Sequence, residues 1–488
     1  MTWNELLEKI PVITRGGDGN PVITDIVYDS RKANKNSVFV SIPGFRVNGD
    51  AFIEDAISRG ACAILTENKL QNCMVPWAQV KNVRQILGLT SKYIFNIDNS
   101  NILFVGITGT NGKTTTTYLI NKMLSLVNGE LYTWMFGTVC YSYGDNKTPA
   151  CNTTPESAEI FRIISSAKEK PKAIVMEVSS HSLSLDRIYG ILYDCAVFTN
   201  LTQDHLDFHK TMENYYQAKK MLFERYLKSN GKAVINIDDE YGNRLYNELS
   251  QIKAITYGRN NFADICIVDW KCNWDFTTVK LKIFNQVKEY TSKLVGFFNV
   301  YNMTALVATA YALNINDDIL VKTFEAIRPV PGRMERIFLD ADFSVFVDYA
   351  HTPDALVNVL STVKKLSSGR VICVFGCGGD RDKTKRPLMA MAVAQNADEA
   401  IITSDNPRSE NPQDIIRDIL QGMPLDFPHV AIADRREAIK KALSIASKGD
   451  CVVIAGKGHE NYQEIKGIRY HFDDKEEIVK AFEELKKQ

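Results

Sequence analysis

The chain has 488 residues, too many for one hydrophobic core, so about two to four domains are expected. Lys plus Arg and Asp plus Glu both number 58, which removes any global charge argument for nucleic acid or a membrane surface as partner. Met1 to Glu8 carry no signal-peptide core, no apolar run reaches the ~18 residues of a span, and the ten cysteines form no C-x-x-C pair; a cytoplasmic protein with reduced thiols is expected.

Residues 1–97 read as a small α/β domain. Val22-Ile23 and Ile26-Val27-Tyr28 are strand-like, and Val38 to Ile42 is a buried strand by composition, ended by Pro43-Gly44. Phe52, Ile53, Ala56 and Ile57 have helical spacing with Gly60 as a stop, and Ala61 to Leu65 is a further strand. Asp29-Ser30-Arg31 lies at a strand end, where short polar side chains cap turns.

Residues 98–330 read as a second domain. The apolar run Ile102 to Val105 leads into Gly109-Thr110-Asn111-Gly112-Lys113-Thr114-Thr115, and Tyr118, Leu119, Ile120, Met123 and Leu124 continue as a helix. Strand, glycine-rich turn, lysine, hydroxyl and helix come in the order of a phosphate-binding loop. Backbone N–H groups and the helix N-terminus favour an anion there, Lys113 reaches the outer phosphates and the Thr114 hydroxyl suits Mg²⁺. A strict G-x-x-x-x-G-K would need glycine where Ile107 stands.

Lys172 to Met176 is a strand ending in Glu177, and Cys195 to Thr199 is another, leading to Asp204-His205-Leu206-Asp207. Ligands of open parallel sheets gather beyond the carboxyl ends of strands, so Glu177 and His205 are expected near Lys113. Taken alone, Glu177 equally suits a surface carboxylate and His205 a hydrogen-bonded turn. Asn152-Thr153-Thr154-Pro155-Glu156 is a polar turn before a helix, with Thr154 as its cap. Lys219, within the helical spacing of Tyr215 to Phe223, reads as a solvated helix lysine. Residues 232–297 look β-rich, and Met303 to Leu313 return to helix.

Pro329 to Arg333 mark a boundary, and residues 331–488 resume the strand–helix rhythm. Their strands end in Asp348-Tyr349-Ala350-His351-Thr352-Pro353, Gly376 to Asp382, Asp405-Asn406-Pro407-Arg408 and Gly456-Lys457-Gly458-His459-Glu460. That is the layout of a doubly wound domain with a site along one edge. Arg381, Arg408, Asp405 and Glu460 offer guanidinium forks and carboxylates, which together suit a zwitterionic amino acid. ATP beside an amino acid points to carboxylate activation followed by attack of an amine.

These motifs, with Met176-Glu177-Val178-Ser179-Ser180-His181, give the chain a resemblance over nearly its whole length to the Mur ligases of peptidoglycan synthesis. The glycine displaced from position 107 is then a family trait, because its loop reads GTxGKT. The resemblance implies an α/β protein of three domains: 1–97 for a UDP-sugar, a central P-loop ATPase-type sheet domain at 98–330, and a C-terminal Rossmann-like, doubly wound domain for an amino acid at 331–488. It implies that ATP phosphorylates the D-glutamate γ-carboxylate of UDP-N-acetylmuramoyl-L-alanyl-D-glutamate and that the amine of meso-2,6-diaminopimelate attacks the acyl phosphate.

Carried over by position, Ser30, Phe45, Arg46 and Val47 would contact the UDP-sugar, and Asn152, Thr153, Thr154, Ser179 and Arg187 the muramoyl-peptide. Residues Gly109 to Thr115, Asn302, Arg333 and Asp348 would bind ATP, and Thr114, Glu177 and His205 would serve Mg²⁺. Lys219 would be carbamylated and so hold a second Mg²⁺, with Lys113, Lys219 and His205 as the catalytic set. Arg381, Asp405, Asn406, Pro407, Arg408, Gly456 and Glu460 would bind diaminopimelate, Arg408 clasping the distal carboxylate that lysine lacks. A monomer is expected. The alternatives are a lysine-adding relative, a folylpolyglutamate synthase-like ligase, and a nucleotide-binding protein without a ligase step.

Overall fold

The structure, a computed structural model, describes residues 1–44, 47–249 and 251–487. The chain divides into two compact units, one from Met1–Gly106, Asn128–Asp194 and Met221–Gly231, the other from Ile107–Val127, Cys195–Lys220 and Lys232 onward. No helix among the described residues is long and apolar enough to cross a membrane.

The first unit begins with a five-stranded sheet in the order Thr14–Gly16, Trp77–Gln79, Ala61–Thr66, Ser37–Val40, Asp25–Val27, parallel except at the Thr14–Gly16 edge. Alternation along each strand covers both faces. Val38, Val40, Ala63 and Leu65 pack with Trp3, Leu6, Ile86 and Leu87 on one side, whereas Phe39 and Ile64 meet Ile53, Ala56 and Trp77 on the other. The helix expected around Ile53 runs Ile53–Ser58, and Gly60, at φ 111°, takes the chain out of it. Val22 makes only an isolated bridge to Thr2, so the expected strand there is absent. Further along this unit, Ala173–Glu177 lies parallel to Thr133–Phe136, which continues antiparallel through Cys140–Tyr143 to Asn146–Pro149.

The second unit holds the β-rich stretch expected near 232–297. Ala254–Gly258 lies between the end of Leu227–Asn236 and Ile265–Cys272, and the meander continues through Thr277–Ile283 to Gln286–Ser292. Its C-terminal sheet has six strands in the order Glu335–Ile337, Ser344–Asp348, Cys451–Ala455, Val371–Phe375, Glu399–Ile402, His429–Ala431, parallel after the first pair. Cys373 and Phe375 face Leu356, Met389 and Ile416 from helices on one side, and Ile372 and Val374 face Ile439 and Ile478 from helices on the other. The α/β class and the doubly wound sheet are as expected, because continuous Val/Ile runs demand cover on both faces.

One buried ion pair ties the two helices of the second face. Arg435 Nε and Nη2 each donate to Asp474 at 2.7 Å, and neither side chain is exposed. Removing one partner strands the other in an apolar interior, so Asp474→Ala should lower unfolding free energy by about 3–5 kcal/mol in a urea titration.

Candidate functional site

The phosphate loop joins strand Leu103–Thr108 to helix Lys113–Asn128. Ile107 is fully buried within the strand, so a glycine has no role at that position. The loop glycines lie later and are required: Gly109 has φ 148° and a Cβ there would sit 1.9 Å from Thr199 Oγ1; Gly112 has φ 84° and would meet Asn302 Oδ1 at 2.6 Å. The next strand's exit clamps the loop: Thr110 N–H donates to Asn200 O at 2.9 Å and Asn111 N–H to Asn200 Oδ1 at 2.9 Å.

Two lysines converge on one carbonyl. Lys113 Nζ donates to Gly109 O at 2.9 Å and to Thr110 O at 2.8 Å, and Lys219 Nζ donates to Gly109 O at 2.7 Å. Lys219 is 1% exposed, which corrects the solvated reading. It lies four residues after Tyr215 on helix Met212–Glu224, whose buried face carries Tyr215, Tyr216, Ala218, Leu222 and Phe223, so the same face takes it inward. Burial first, and then the Lys113 cation, hold its amine well below the usual lysine range.

Asp204, 5% exposed, receives Lys385 Nζ at 3.3 Å, His205 Nε2 at 3.3 Å and His351 Nε2 at 3.8 Å. Burial alone would raise its carboxyl, but Lys385 and the two histidines hold it well below the carboxylate range. His205 itself has φ 55°, in the left-handed region, at the position read from sequence as a hydrogen-bonded turn.

A cavity of about 290 Å³ opens beside the loop, lined by Asn111, Gly112, Thr115, Asn302, Arg333 and Asp348. The sequence reading put these residues on ATP. Arg333 Nη2 donates to Thr114 Oγ1 at 2.9 Å, and its buried Nε has no hydrogen-bond partner among the described residues. A guanidinium placed this way fits an anionic phosphate. Asp348 accepts Met334 N–H at 2.6 Å and Ala350 N–H at 2.7 Å, and burial raises its carboxyl. The cavity's aromatic wall, Tyr257, Phe297, Phe298 and Tyr301, escaped sequence reading. Phe297, Phe298 and Tyr301 have the spacing of an ordinary core helix, Tyr257 lies near the end of strand Ala254–Gly258, and only the tertiary fold turns them toward one cavity.

The C-terminal strand ends bring most of the expected amino-acid-binding residues together. Asn406 Nδ2 donates to Glu460 Oε2 at 2.8 Å, and Tyr349 Oη donates to Glu460 Oε1 at 3.3 Å. Gly456 has φ 116° and a Cβ there would lie 2.5 Å from Asp405 Oδ2. Burial and then Asp405 raise the Glu460 carboxyl. Pro407 O accepts Glu410 N–H at 3.0 Å, which turns the chain after Arg408. Arg408 Nη1 donates to Gly379 O at 2.8 Å, while Arg381 is exposed with Nη1 on Asp380 O at 3.2 Å. Lys457, fully buried and 3.6 Å from Glu460, was missed because its loop reads as glycine-rich backbone.

In the first unit, Glu177 is 1% exposed and accepts Thr138 N–H at 2.7 Å and Thr138 Oγ1–H at 3.0 Å, so it is no surface carboxylate. Thr154 does not cap a helix. Its hydroxyl donates to Glu177 O at 2.8 Å and accepts Ser179 N–H at 3.0 Å, because the following helix starts only at Ser157. Ser179 is itself an N-cap, accepting Ser182 N–H at 3.1 Å. Thr153 Oγ1 lies 3.2 Å from Thr138 Oγ1, and Asn152 O accepts from Tyr141 Oη at 2.6 Å. Arg187 lies 3.5 Å from Glu156, whose carboxyl is raised by burial. Ser30 is buried in a 3₁₀ turn that Asp29 caps through Arg31 N–H at 3.0 Å, the capping role expected of that motif. Val47 is exposed; Phe45 and Arg46 lie outside the described residues.

Three family models match the chain: "Mur ligase family, catalytic domain" over 22–93, "Mur ligase middle domain" over 107–310, and "Mur ligase, glutamate ligase domain" over 332–458. Among curated proteins, UDP-N-acetylmuramoyl-L-alanyl-D-glutamate–2,6-diaminopimelate ligase 1 of Clostridium acetobutylicum is 43% identical over 96% of both chains. The Bacillus velezensis ligase of the same name, without the number, is 42% identical over 96% of both. A solved structure of a ligase of that name is 35% identical, covers 100% of this chain and 99% of its own, and superposes with a TM-score of 0.68. A MurF ligase from Thermotoga maritima in complex with ADP shares the fold at 20% identity, with 95% and 98% coverage and a TM-score of 0.66.

Proposed function

The chain belongs to the Mur ligase family, and from that premise we propose that it joins meso-2,6-diaminopimelate to the D-glutamate γ-carboxylate of UDP-N-acetylmuramoyl-L-alanyl-D-glutamate, with ATP as the activating co-substrate. The observation that carries this reading is a chain of contacts from the phosphate loop to the strand ends. Thr114 Oγ1 meets Arg333 at 2.9 Å, Arg333 lies 4.7 Å from the Tyr349 ring centre, Tyr349 reaches Glu460 at 3.3 Å, and Glu460 holds Asn406 at 2.8 Å. Phosphoryl donor and acceptor amine are thereby handled by one connected set of side chains.

In this reading a γ-carboxylate oxygen attacks the γ-phosphorus of ATP and ADP leaves. The amine of diaminopimelate then attacks the acyl carbon, phosphate leaves, and the amide nitrogen gives up a proton. Lys113 and the helix N-terminus behind it hold the transferring phosphoryl. Gly109 to Thr115, Asn302, Arg333 and Asp348 bind the nucleotide. Asp405, Asn406, Pro407, Arg408, Gly456, Glu460 and Arg381 receive the amino acid. In the first unit Ser30, Val47, Asn152, Thr153, Thr154, Ser179 and Arg187 are assigned to the sugar-peptide.

In the second unit the Thr114 hydroxyl and the His205 imidazole would hold Mg²⁺, and a carbamate on Lys219 would hold a second Mg²⁺. Mg²⁺ would neutralise charge on the phosphoryl group. Glu177 is the carboxylate that the family resemblance assigns to Mg²⁺. The reading also includes domains at 1–97, 98–330 and 331–488, a cytoplasmic location and a monomer.

The test is phosphate release with UDP-muramoyl-dipeptide, ATP and each candidate amino acid in turn. Release should require diaminopimelate and stay near background with L-lysine. Equal release with lysine would overturn the specificity. Release that ignores the amino acid would point to a nucleotide-binding protein without the ligase step, and turnover of a folate alone to a polyglutamate synthase.

A further inference from the structure

The hairpin Tyr462–Ile465 and Ile468–His471 lies beyond residue 458, where the family-model match ends. It turns through Lys466 at φ 50° and Gly467 at φ 80°. Its first strand braces the loop that carries Arg408. Arg408 N–H donates to Glu464 O at 2.9 Å, and Lys466 N–H donates to Arg408 O at 2.7 Å. Glu464 N–H donates to Asn406 Oδ1 at 2.9 Å, and Gln463 Nε2 donates to Asp405 O at 2.8 Å. These bonds hold Arg408 at φ 51°, a left-handed conformation that L side chains disfavour.

The hairpin strands carry two opposite charges, Glu464 and Arg469. Glu464 Oε2 lies 4.0 Å from Arg408 Nε and 3.8 Å from Arg469 Nε. Arg469 is stacked over the Tyr462 ring at 4.3 Å. Arg408 is already oriented by its Nη1 bond to Gly379 O. At 4.0 Å the Glu464 carboxylate is too far to orient that guanidinium by a hydrogen bond, but close enough to act on its charge. Arg408 and Glu464 are only 19% and 23% exposed, so water screens them incompletely. Arg469, 60% exposed, shares the same carboxylate from the solvent side.

We propose that Glu464 is the internal counter-ion of Arg408 and sets how tightly the distal carboxylate of the amino-acid substrate is held. The inference rests on the diaminopimelate reading above. A substrate carboxylate arriving at Arg408 enters the field of Glu464 and is repelled by it. Arg469 draws on the same negative charge and relieves that repulsion. Glu464 and Arg469 therefore tune the distal subsite in opposite directions.

Opposite signs make the test. In steady-state phosphate release, Glu464→Gln should lower the KM for diaminopimelate about three- to tenfold, and Arg469→Gln should raise it about two- to fivefold. The KM for ATP serves as the internal reference. In the double variant, Arg469→Gln should lose its effect, since the charge it relieves is gone. A general loosening of the hairpin would instead raise the KM in both single variants, and that result, or no change with Glu464→Gln, overturns the inference. Absence of diaminopimelate-dependent release by the unchanged protein would overturn the functional reading itself, and the inference with it.

Discussion

Lys219→Ala is expected to lower diaminopimelate-dependent phosphate release by about 10²–10³-fold, the range for losing one electrostatic group at a reacting centre. The argument starts from burial. A cation in this position is desolvated and faces Lys113, and both amines donate to the Gly109 carbonyl. Both effects favour the neutral amine, whose lone pair can attack CO₂. The N–C bond forms, a proton leaves, and the side chain becomes a carbamate anion that retains one N–H. Repulsion between two lysines is thereby exchanged for attraction, with the carbamate oxygens available to a cation.

Truncation removes a buried alkyl stem along with the amine, so the urea midpoint should fall somewhat, and turnover is compared on the folded variant. Formate or acetate should restore part of the activity of Lys219→Ala by supplying the missing anion, and CO₂-depleted buffer should slow the unchanged protein. Full activity of the variant would remove Lys219 from the chemistry. A variant that is inactive but not rescued by any short carboxylate would leave it there as an amine rather than a carbamate.

Sequence and structure differ most where a residue's meaning depends on packing. The phosphate loop was legible because its glycines and GKT act through local backbone geometry, and even the oddity at Ile107 resolves locally as the end of a buried strand. The C-terminal strand ends were legible for a similar reason: apolar runs close on polar loops, and a doubly wound sheet gathers those loops on one edge. Lys219 was misread because helical spacing says which residues share a face but not how deep that face lies. Thr154 was misread as a cap because a cap depends on where the helix begins, and Ser179 and Glu177 compete for its hydroxyl.

The aromatic wall of Tyr257 with Phe297, Phe298 and Tyr301, and the cluster of Asp204 with His351 and Lys385, join residues far apart in the chain, and no local pattern announces them. The hairpin behind Arg408 escaped for another reason. It is docked on the Arg408 loop through backbone bonds, which side-chain chemistry read from sequence cannot reveal.

Arg408→Ala should reduce kcat/KM for diaminopimelate by about 30- to 1,000-fold, the equivalent of about 2–4 kcal/mol for leaving a desolvated carboxylate without its fork. The KM for ATP should stay within about twofold, because the cavity assigned to the nucleotide is lined by other residues. The guanidinium is seated by Gly379 O and its backbone by the hairpin, so truncation also frees the Gly379 carbonyl. Arg408→Lys separates the two effects. It keeps the positive charge but loses the planar, two-pronged grip on a carboxylate, so its loss should fall between the unchanged protein and alanine.

L-lysine gives the complementary measurement. It lacks the distal carboxylate, so Arg408→Ala removes nothing that lysine used and should leave its poor turnover unchanged or improved. The ratio of the two substrates should therefore collapse. If Arg408→Ala instead lowered both amino acids and ATP together, the residue would be holding the loop, and the choice of amine would have to lie elsewhere on the strand ends. Discrimination by Arg408 requires that the loss be confined to the substrate bearing the second carboxylate, since only that substrate leaves a charge stranded when the arginine is gone.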